Sequence, residues 1–411
     1  MSYRKIGELI RLVDERNKDL QVVTLVGLTI HKKFIPSVAN TIGTDMKNYK
    51  IIRRNQFACS TMQVRRDKKM PVALLKELDV AILSPAYPVF EVKDENEVLP
   101  DYLMLWFTRS EFDREACFHA VGGVRGSLEW EDFCNMELPI PSIEKQREIV
   151  AQYQAVENKI RVNKQICEKL EATAQALYKH WFVDFEFPNE DGKPYKSSGG
   201  KMVWNEELEK EIPEGWEVGT LKDYANIKGG KRLPKDSELN KNKVGRPYIR
   251  VADMNKNKFM TINSEFMFVD DITQKEISRY TVDTNDVIIS IVGTIGLVNV
   301  IDESLNKANL TENCFKLTNL KKINKDYLYH YLVSERGQRE IEMKTVGGVQ
   351  AKLPMYNVEL LDLLIPSTNL LSQFESTVKA INQRIVTIIK ENDKLTELQS
   401  LLLSRLARLE G

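Results

Sequence analysis

The sequence predicts an α+β protein that contains one domain-sized unit twice and two long helices that form an antiparallel coiled coil. Three observations support this prediction. Short sequence words recur at a constant offset, and both halves begin with β-rich runs mixed with short helical patterns. Both halves then end in a long heptad pattern without Gly or Pro. Such a duplication predicts internal pseudo-two-fold symmetry.

The repeated words are separated by one constant offset in residue number, which we call the repeat offset. Three of them are Asp101-Tyr102-Leu103 with Asp326-Tyr327-Leu328, Val121-Gly122-Gly123-Val124 with Val346-Gly347-Gly348-Val349, and Ile140-Pro141-Ser142 with Ile365-Pro366-Ser367. Solenoid repeats have periods of roughly 20–50 residues, which is far shorter than this offset. The long period therefore indicates two copies of a whole domain.

Each copy begins with a globular domain, residues 1–142 and 213–366. Runs of β-branched and aliphatic residues predict strands, which include residues 20–26, 80–83 and 287–292. Apolar residues at helical spacing predict one helix in each domain, residues 101–117 and 326–343. A short final strand follows in each copy, and the proline of Ile-Pro-Ser ends it.

A long helix follows each globular domain, residues 143–187 and 367–411, and residues 188–212 form a linker. Apolar residues at heptad spacing predict a coiled-coil seam along both helices. Its members are Ile149, Tyr153, Val156, Ile160, Leu170, Leu177 and Trp181 in the first helix, and Phe374, Val378, Ile381, Ile385, Ile388, Leu395, Leu402, Leu406 and Leu409 in the second. Asn163 and Asn392 also fall at seam positions. Buried there they would fix the register, but either could equally lie on the helix surface.

The two helices are expected to pair antiparallel. A helix of about 44 residues is roughly 65 Å long at about 1.5 Å per residue. In an antiparallel pair the end of the first helix lies beside the start of the second, so the linker travels only a short distance. A parallel pair would force the linker back along the whole rod. We therefore expect the two globular domains at opposite ends of an antiparallel pair.

The charge is zero overall but is unevenly distributed along the chain. Residues 1–80 carry a net charge of +8, and residues 222–258, near the start of the second copy, carry +7. Binding to a phosphate backbone requires basic surface of this kind. For either cluster alone, ordinary solvated loops are the alternative interpretation.

The remaining composition predicts a binding protein of the cytoplasm. Five scattered cysteines without a Cys-x-x-Cys pair argue against disulfides or structural zinc. No apolar run reaches the roughly 18–20 residues of a membrane helix, and no signal-peptide core is present. Gly293-Thr294-Ile295-Gly296 lacks the Lys-Ser/Thr of a phosphate-binding loop, and Ser84-Pro85-Ala86-Tyr87 lacks the second proline of an amino-methyltransferase motif. We find neither a metal site nor a catalytic nucleophile.

The order of motifs resembles the specificity subunit of Type I restriction–modification systems over nearly the whole chain. In the second copy the motifs that look like the family's target-recognition domain are Gly229-Gly230-Lys231-Arg232, Pro247 to Met254, Ser290 to Gly296 and Asn309 to Cys314. The first copy looks like a different type of recognition domain, on residues 41–45, 49–57 and 64–67. Leu138-Pro139-Ile140-Pro141 and Leu363-Leu364-Ile365-Pro366 look like the family's exit into the helix.

The resemblance implies a non-catalytic subunit that gives a restriction–modification complex its DNA specificity in defence against foreign DNA. Each recognition domain would read one half of a bipartite, asymmetric site in double-stranded DNA. The helices would dock two methyltransferase subunits, and restriction/translocase subunits would join them. The chain itself would bind no cofactor, because S-adenosylmethionine, ATP and Mg belong to the partner subunits.

Lysines and arginines are the candidates for DNA contact, because both anchor phosphates and Arg favours guanine. The candidates are Lys32, Lys33, Arg53, Arg54, Arg65, Arg66, Lys68, Lys69 and Arg125 in the first domain, and Lys231, Arg232, Lys243, Arg246, Arg250 and Lys352 in the second. We expect about half of them to be ordinary solvated surface charges, since exposed Lys and Arg are common.

Two functions from other classes remain open on the sequence. One is a stand-alone DNA-modifying enzyme, a methyltransferase or nuclease fused to its recognition domain, against which the missing donor loop counts. The other is a coiled-coil scaffold that joins protein partners without reading DNA, against which the two basic clusters count.

Overall fold

In the computed structural model the described residues are 2–38, 43–121 and 126–406, and the chain divides into two compact units. Unit 1 contains residues 1–159 and 395–411, and unit 2 contains residues 160–394. Each unit thus contains one globular domain and a part of both long helices. The candidate Arg125 and the seam residue Leu409 lie outside the described residues.

Unit 1 is built on antiparallel strands and short helices. In chain order these are β1 (Ser2–Lys5), α1 (Ile6–Leu9), β2 (Ile10–Val13), β3 (Val26–Leu28), β4 (Phe34–Pro36), β5 (Lys50–Arg53), β6 (Phe57–Cys59), α2 (Val64–Asp67), β7 (Val72–Leu74), β8 (Val80–Leu83), β9 (Val89–Val92), α3 (Pro100–Thr108), α4 (Ser110–His119), α5 (Trp130–Asn135) and β10 (Glu137–Ile140). The largest sheet has the order β2-β9-β6-β7, and β1-β10, β3-β4 and β5-β8 form pairs.

The core of unit 1 lies between the four-stranded sheet and the helices α3 to α5. Phe57 and Phe90 stack with ring centroids 5.0 Å apart, and Phe107 contacts both rings edge-on. All three side chains are fully buried, and burial of one such ring contributes about 1.5–3 kcal/mol. The sheet is therefore held against the helices mainly by aromatic packing.

The first long helix, α6 (Ile143–Tyr178), continues into a π-helical turn, Lys179–Val183, so it ends a few residues before the predicted boundary at 187. The elements that follow are β11 (Met202–Asn205), β12 (Lys210–Pro213), β13 (Glu217–Thr220), α7 (Leu221–Tyr224), β14 (Asn226–Gly229), β15 (Arg246–Ile249), β16 (Phe259–Met260), β17 (Met267–Val269), α8 (Asp271–Glu276), β18 (Val287–Ser290), β19 (Val298–Ile301), β20 (Asn309–Leu310), β21 (Cys314–Thr318), α9 (Lys325–Val333), α10 (Glu335–Met343), α11 (Met355–Glu359), β22 (Asp362–Ile365) and α12 (Thr368–Arg405).

Unit 2 contains two larger sheets. One has five strands in the order β14-β21-β18-β19-β16, and the other has three in the order β17-β15-β20. Most pairs are antiparallel, whereas β15-β20 and β16-β19 are parallel. Because unit 1 has no equivalent of this arrangement within its described residues, the two globular domains have different folds between their shared elements.

The shared elements form a repeated frame. In unit 1 the strand β1 pairs with β10 and Ser2 lies opposite Ile140, whereas in unit 2 β13 pairs with β22 and Glu217 lies opposite Ile365. The closing strands keep the repeat offset, but the opening strands are closer together in sequence, so the second copy is longer between its two frame strands. The hydroxyl of Tyr102 donates to Pro139 O (2.9 Å), and that of Tyr327 donates to Leu364 O at the repeat offset.

The two helices predicted at residues 101–117 and 326–343 are each two helices in the structure, α3 and α4 in unit 1 and α9 and α10 in unit 2. This corrects the prediction. The breaks fall at Arg109 and Ser334, which also keep the repeat offset, and the backbone is extended at both. Ser334 Oγ accepts from Gly337 N (3.1 Å) and so caps α10. Apolar spacing alone could not reveal these breaks, because the apolar pattern continues across them.

Two predicted strands also need correction. Residues 20–24 are irregular and the strand begins only at Val26. One reason is that the Asn17 side chain bonds the backbone N and O of Val22, and the other is that Val23 is exposed. The strand predicted at 287–292 ends at Ser290, whose hydroxyl donates to Thr294 O (2.6 Å) and accepts from Leu297 N (2.9 Å). The strand predicted at 80–83 is confirmed as β8.

The long helices run antiparallel where they meet in unit 2. Asn163 is fully buried, and its Nδ2 donates to Asn392 Oδ1 (2.9 Å) and to Glu391 Oε2 (2.9 Å). In the π-helical turn that follows α6, Trp181 contacts Phe374, which lies earlier in α12. Every described seam residue is buried or half-buried. The two asparagines therefore meet in the seam rather than lying on the helix surface.

In unit 1 the start of α6 and the end of α12 share one apolar cluster. Ile149 and Tyr153 pack with Leu403 and Leu406 in it. No helix among the described residues is both long enough and apolar enough to cross a membrane.

Candidate nucleic-acid interface

Four motifs that are distant in the sequence of unit 2 meet around residues 309–314, which include β20. Backbone hydrogen bonds join this segment to the other three motifs: Lys231 N to Leu310 O (2.8 Å), Thr311 N to Ile249 O (3.0 Å) and Ile291 N to Asn313 O (2.9 Å). We call the surface formed by residues 229–232, 246–250, 290–296 and 309–314 the motif surface. It consists of the short strands β15 and β20, the ends of β14 and β18, and the turns beside them, and functional side chains are commonly placed on such turns.

Gly230 allows the turn of residues 229–232 to lie directly on this segment. A Cβ atom at position 230 would lie 2.0 Å from Thr311 O and 2.3 Å from Leu310 O. The Tyr248 hydroxyl also donates to Lys231 O (2.7 Å). These contacts hold the backbone of the turn, so that Lys231 and Arg232 extend into solvent.

We predict that Gly230→Ala destabilises unit 2. Because the new methyl group would overlap backbone oxygen, the loss of stability should be about 1–3 kcal/mol or more. The matched control is Gly229→Ala, whose Cβ would lie 3.6 Å from the Phe315 ring, an ordinary contact. Urea unfolding of both variants measures the difference, and equal midpoints would contradict the role given to Gly230.

The predicted basic residues of unit 2 divide into paired and unpaired side chains. Arg232 is 82% exposed and its Nε contacts Glu312 (2.7 Å). Burial raises the pKa of Glu312, but hydrogen bonds led by that from Arg232 outweigh it, and the pKa ends below its ordinary value. Arg250 is half-buried and is held by Asp253 on the next turn (2.5 Å).

Three other candidates in unit 2 are exposed and form no ion pair with any described residue: Lys231, Arg246 and Lys352. The Lys231 ammonium lies 5.8 Å from the ring centroid of Tyr280, a contact that no sequence pattern predicts. A β-bridge between Val292 and Lys352 places the latter beside the motif surface. Lys243 is also exposed and has a positive φ of 55°.

In unit 1 the short helix α2 carries two exposed basic residues, Arg65 and Arg66, and Lys68 follows its end. Val64 is fully buried and fixes the helix, and the flanking residues Gln63 and Lys68 adopt the left-handed conformation. Arg65 and Lys68 are exposed and lack an ion-pair partner within the described ranges. Arg66 is exposed but contacts Asp67 (2.7 Å).

Lys32, a predicted DNA contact, lies in a buried ion pair and not on the exposed basic surface. Its side chain is buried, contacts Asp113 (2.7 Å) and donates to Phe107 O. Burial lowers the pKa of Lys32, and Asp113 opposes that effect. The sequence could not reveal this partner, which lies 81 residues further along the chain.

The other candidates of unit 1 are accessible to different degrees. Arg53 and Arg54 are about half exposed and are paired with Glu15 (2.6 Å) and Asp79 (2.7 Å). Lys33 is exposed and Lys69 is half-buried. Paired arginines at the surface can exchange a carboxylate for a phosphate, since exposed ion pairs are weak.

The chemistry available on these surfaces is that of binding. Exposed ammonium and guanidinium groups can neutralise phosphates, and guanidinium groups can form paired hydrogen bonds to guanine. All five cysteines are free thiols. Burial raises the pKa of the Cys314 thiol to about 12, which keeps it protonated and unreactive.

Comparison with known proteins agrees with this geometry. The family described as Type I restriction modification DNA specificity domain matches residues 65–172 and 213–408, together more than half of the chain. The MjaIX specificity subunit of Methanocaldococcus jannaschii is 26% identical, over 75% of this chain and 68% of its own length. The HindI specificity subunit of Haemophilus influenzae is 24% identical, over 98% and 97%.

A solved structure shares the fold. The crystal structure of the S subunit of a Type I restriction–modification system from M. genitalium aligns with a TM-score of 0.53, at 14% identity, over 99% of this chain and 96% of the other. The two segments that the family matches, residues 65–172 and 213–408, correspond to the two copies recognised in the sequence. The chain therefore belongs to the family of Type I restriction–modification DNA specificity subunits.

Proposed function

We propose that each globular domain reads one half of a bipartite, asymmetric site in double-stranded DNA. The observation that carries this proposal is that the two domains differ in fold, although each is built on its own copy of the repeated frame. Different sheets present different side chains, so the two half-sites should differ in sequence. The motif surface is the reading surface of unit 2, and α2 is its counterpart in unit 1.

Within each surface we assign the unpaired cations to phosphate contact. Arg65 and Lys68 serve this role in unit 1, and Lys231, Arg246 and Lys352 serve it in unit 2. Arg232 and Arg250, whose guanidinium planes are oriented by carboxylates, are assigned to base edges. Oriented guanidinium groups suit paired recognition of guanine, whereas phosphate contact tolerates many orientations.

The repeated frame and the two long helices are proposed to dock two methyltransferase subunits, one per copy. Restriction/translocase subunits would join this assembly in the cytoplasm. S-adenosylmethionine, ATP and Mg would enter with those partners, and this chain would contribute no catalytic group. Helix α6 has 36 residues, or about 54 Å at about 1.5 Å per residue, and is proposed to set the gap between the half-sites.

The proposal is tested by mapping methylated adenines in host DNA with and without this chain. With the chain present we expect one bipartite motif that has a fixed gap, and without it we expect the motif to lose its methylation. The purified complex should contain one copy of this chain and two methyltransferase subunits. A contiguous motif, or methylation independent of the chain, would refute the proposal.

A further inference from the structure

We infer that a repeated cluster of lysine, aspartate and amide positions the recognition sheet of each unit on the long helix beside it. In unit 2 the aspartate is Asp326 on α9. Its Oδ1 accepts from Lys258 Nζ and from Asn382 Nδ2 on α12 (2.8 Å), and Lys258 Nζ also donates to Asn382 Oδ1 (3.0 Å). We call this set the clasp. It deepens the proposed function, on which it rests.

The ion pair of the unit 2 clasp is buried, and both long helices contact it. Lys258 is 1% exposed and Asp326 is 2% exposed. The backbone N of Lys258 donates to Glu171 Oε1 on α6 (2.7 Å). Lys258 directly precedes β16, an edge strand of the five-stranded sheet. The clasp therefore ties the edge of that sheet to α6, α9 and α12 at one point.

A buried histidine, His330, lies beside the clasp and contacts both Lys258 and α6. His330 Nε2 lies 3.5 Å from Lys258 Nζ, and its Nδ1 lies 2.8 Å from Gln175 Oε1 on α6. Burial, and next the Lys258 charge, lower the pKa of His330 well below its ordinary value, so the ring is neutral. A neutral imidazole adds no second charge to the pair.

Unit 1 contains the same contact, assembled from different elements. Asp101, which corresponds to Asp326 at the repeat offset, accepts from Lys76 Nζ (2.7 Å) and from Gln154 Nε2 on α6 (3.3 Å). Lys76 follows β7, an edge strand of the four-stranded sheet. The two lysines do not keep the repeat offset. The aspartate thus belongs to the repeated frame, whereas each sheet supplies its own lysine and the adjacent helix its own amide.

The physical advantage of the clasp lies in geometry rather than in stability. A buried ion pair contributes little net stability compared with apolar packing, because both charges lose their hydration. Charge-assisted hydrogen bonds are directional, so they favour one orientation of the sheet edge over neighbouring ones. An apolar contact would allow the sheet to slide or rotate on the helix. The clasp residues therefore act as positioning residues for the recognition surface.

The test uses Asn382→Ala in the full chain assembled with its methyltransferase, and Gln383→Ala, an exposed neighbour on α12, as the matched control. Methylation rates are measured on DNA with the native half-sites and a gap of native length or one base pair longer or shorter. We expect the wild-type preference for the native gap to fall by about tenfold in Asn382→Ala, the effect of one lost hydrogen bond to a charged group. Gln383→Ala should keep the wild-type preference.

Equal slowing of all three substrates with an unchanged preference would overturn the inference, because the clasp would then be merely structural. Gln154→Ala provides a second variant. It removes the amide from the corresponding cluster of unit 1, which is half exposed and can lose that amide without risk to folding. It should reduce the gap preference as well, and an unchanged preference there would likewise overturn the inference. If the wild-type complex itself showed no bipartite methylation, the proposed function would be refuted. That result is distinct from an unchanged gap preference in either variant.

Discussion

Reversing two exposed charges in unit 2, Lys231→Glu with Arg246→Glu, is expected to weaken DNA binding by roughly a hundredfold or more at low salt. Both side chains are exposed and lack an ion pair among the described residues, so each is available to a phosphate. Each lost phosphate contact should also reduce the log–log salt dependence of binding by about one unit. Fluorescence anisotropy at several salt concentrations, with the methyltransferase complex, measures both quantities.

The control variant changes the net charge of unit 2 by the same amount at a different place. Lys222→Glu with Lys321→Glu lies on the repeated frame, where Lys321 N donates to Tyr224 O. It removes as much positive charge but should leave the salt slope close to that of wild type. In unit 1, Arg65→Glu with Lys68→Glu should reproduce the loss of affinity. If the frame and motif-surface variants lost affinity equally, only net charge would matter and the motif surface would not be the DNA face.

The second large effect concerns stability. Lys258→Met should destabilise unit 2 by up to about 3–5 kcal/mol, because Asp326 would remain buried with only the more distant Lys325 ammonium (3.7 Å) as an opposite charge. The matched variant is Lys76→Met in unit 1, where the lysine is 41% and Asp101 is 27% exposed. Water can solvate that carboxylate, so the expected loss is about 0–1 kcal/mol. Urea unfolding, with hydrogen exchange of α9 as a local probe, measures the difference.

A double variant separates charge from packing at the same site. Lys258→Met with Asp326→Leu removes both charges and should recover most of the stability lost in Lys258→Met, as replacement of whole buried pairs often does. Similar small losses for Lys258→Met and Lys76→Met would show that Asp326 is not isolated from water. A double variant no more stable than the single one would show that the pair itself is the main source of stability.

The repeated frame and the long helices could be predicted from the sequence because their signals are local and periodic. The heptad spacing predicted the two long helices that form α6 and α12, and it placed Asn163 and Asn392 in the seam where they meet. The constant offset also located the closing strands of both copies. Both signals depend on spacing along the chain, which a sequence displays directly.

The interior of each globular domain could not be predicted in this way. Its strands have only two to five residues, too short for a clear alternation, and one apolar run became a loop closed by Asn17. Whether a basic residue is free depends on partners distant in sequence, as Lys32 with Asp113 shows. The clasp was missed for the same reason, because Lys258 precedes Asp326 by 68 residues. Resemblance of motifs identified the motif surface, but only the folded chain shows that its segments touch.

The central claim is that each unit reads its own half of one bipartite site. The most direct measurement is methylation mapping carried out in parallel with wild type, with the base-edge variant Arg232→Ala and Arg250→Ala, and with the phosphate variant Lys231→Glu and Arg246→Glu. The account predicts one bipartite motif for wild type, discrimination relaxed in one half only for the base-edge variant, and reduced methylation of an unchanged motif for the phosphate variant. Unchanged discrimination in the base-edge variant, or relaxation of both halves by it, would contradict the claim.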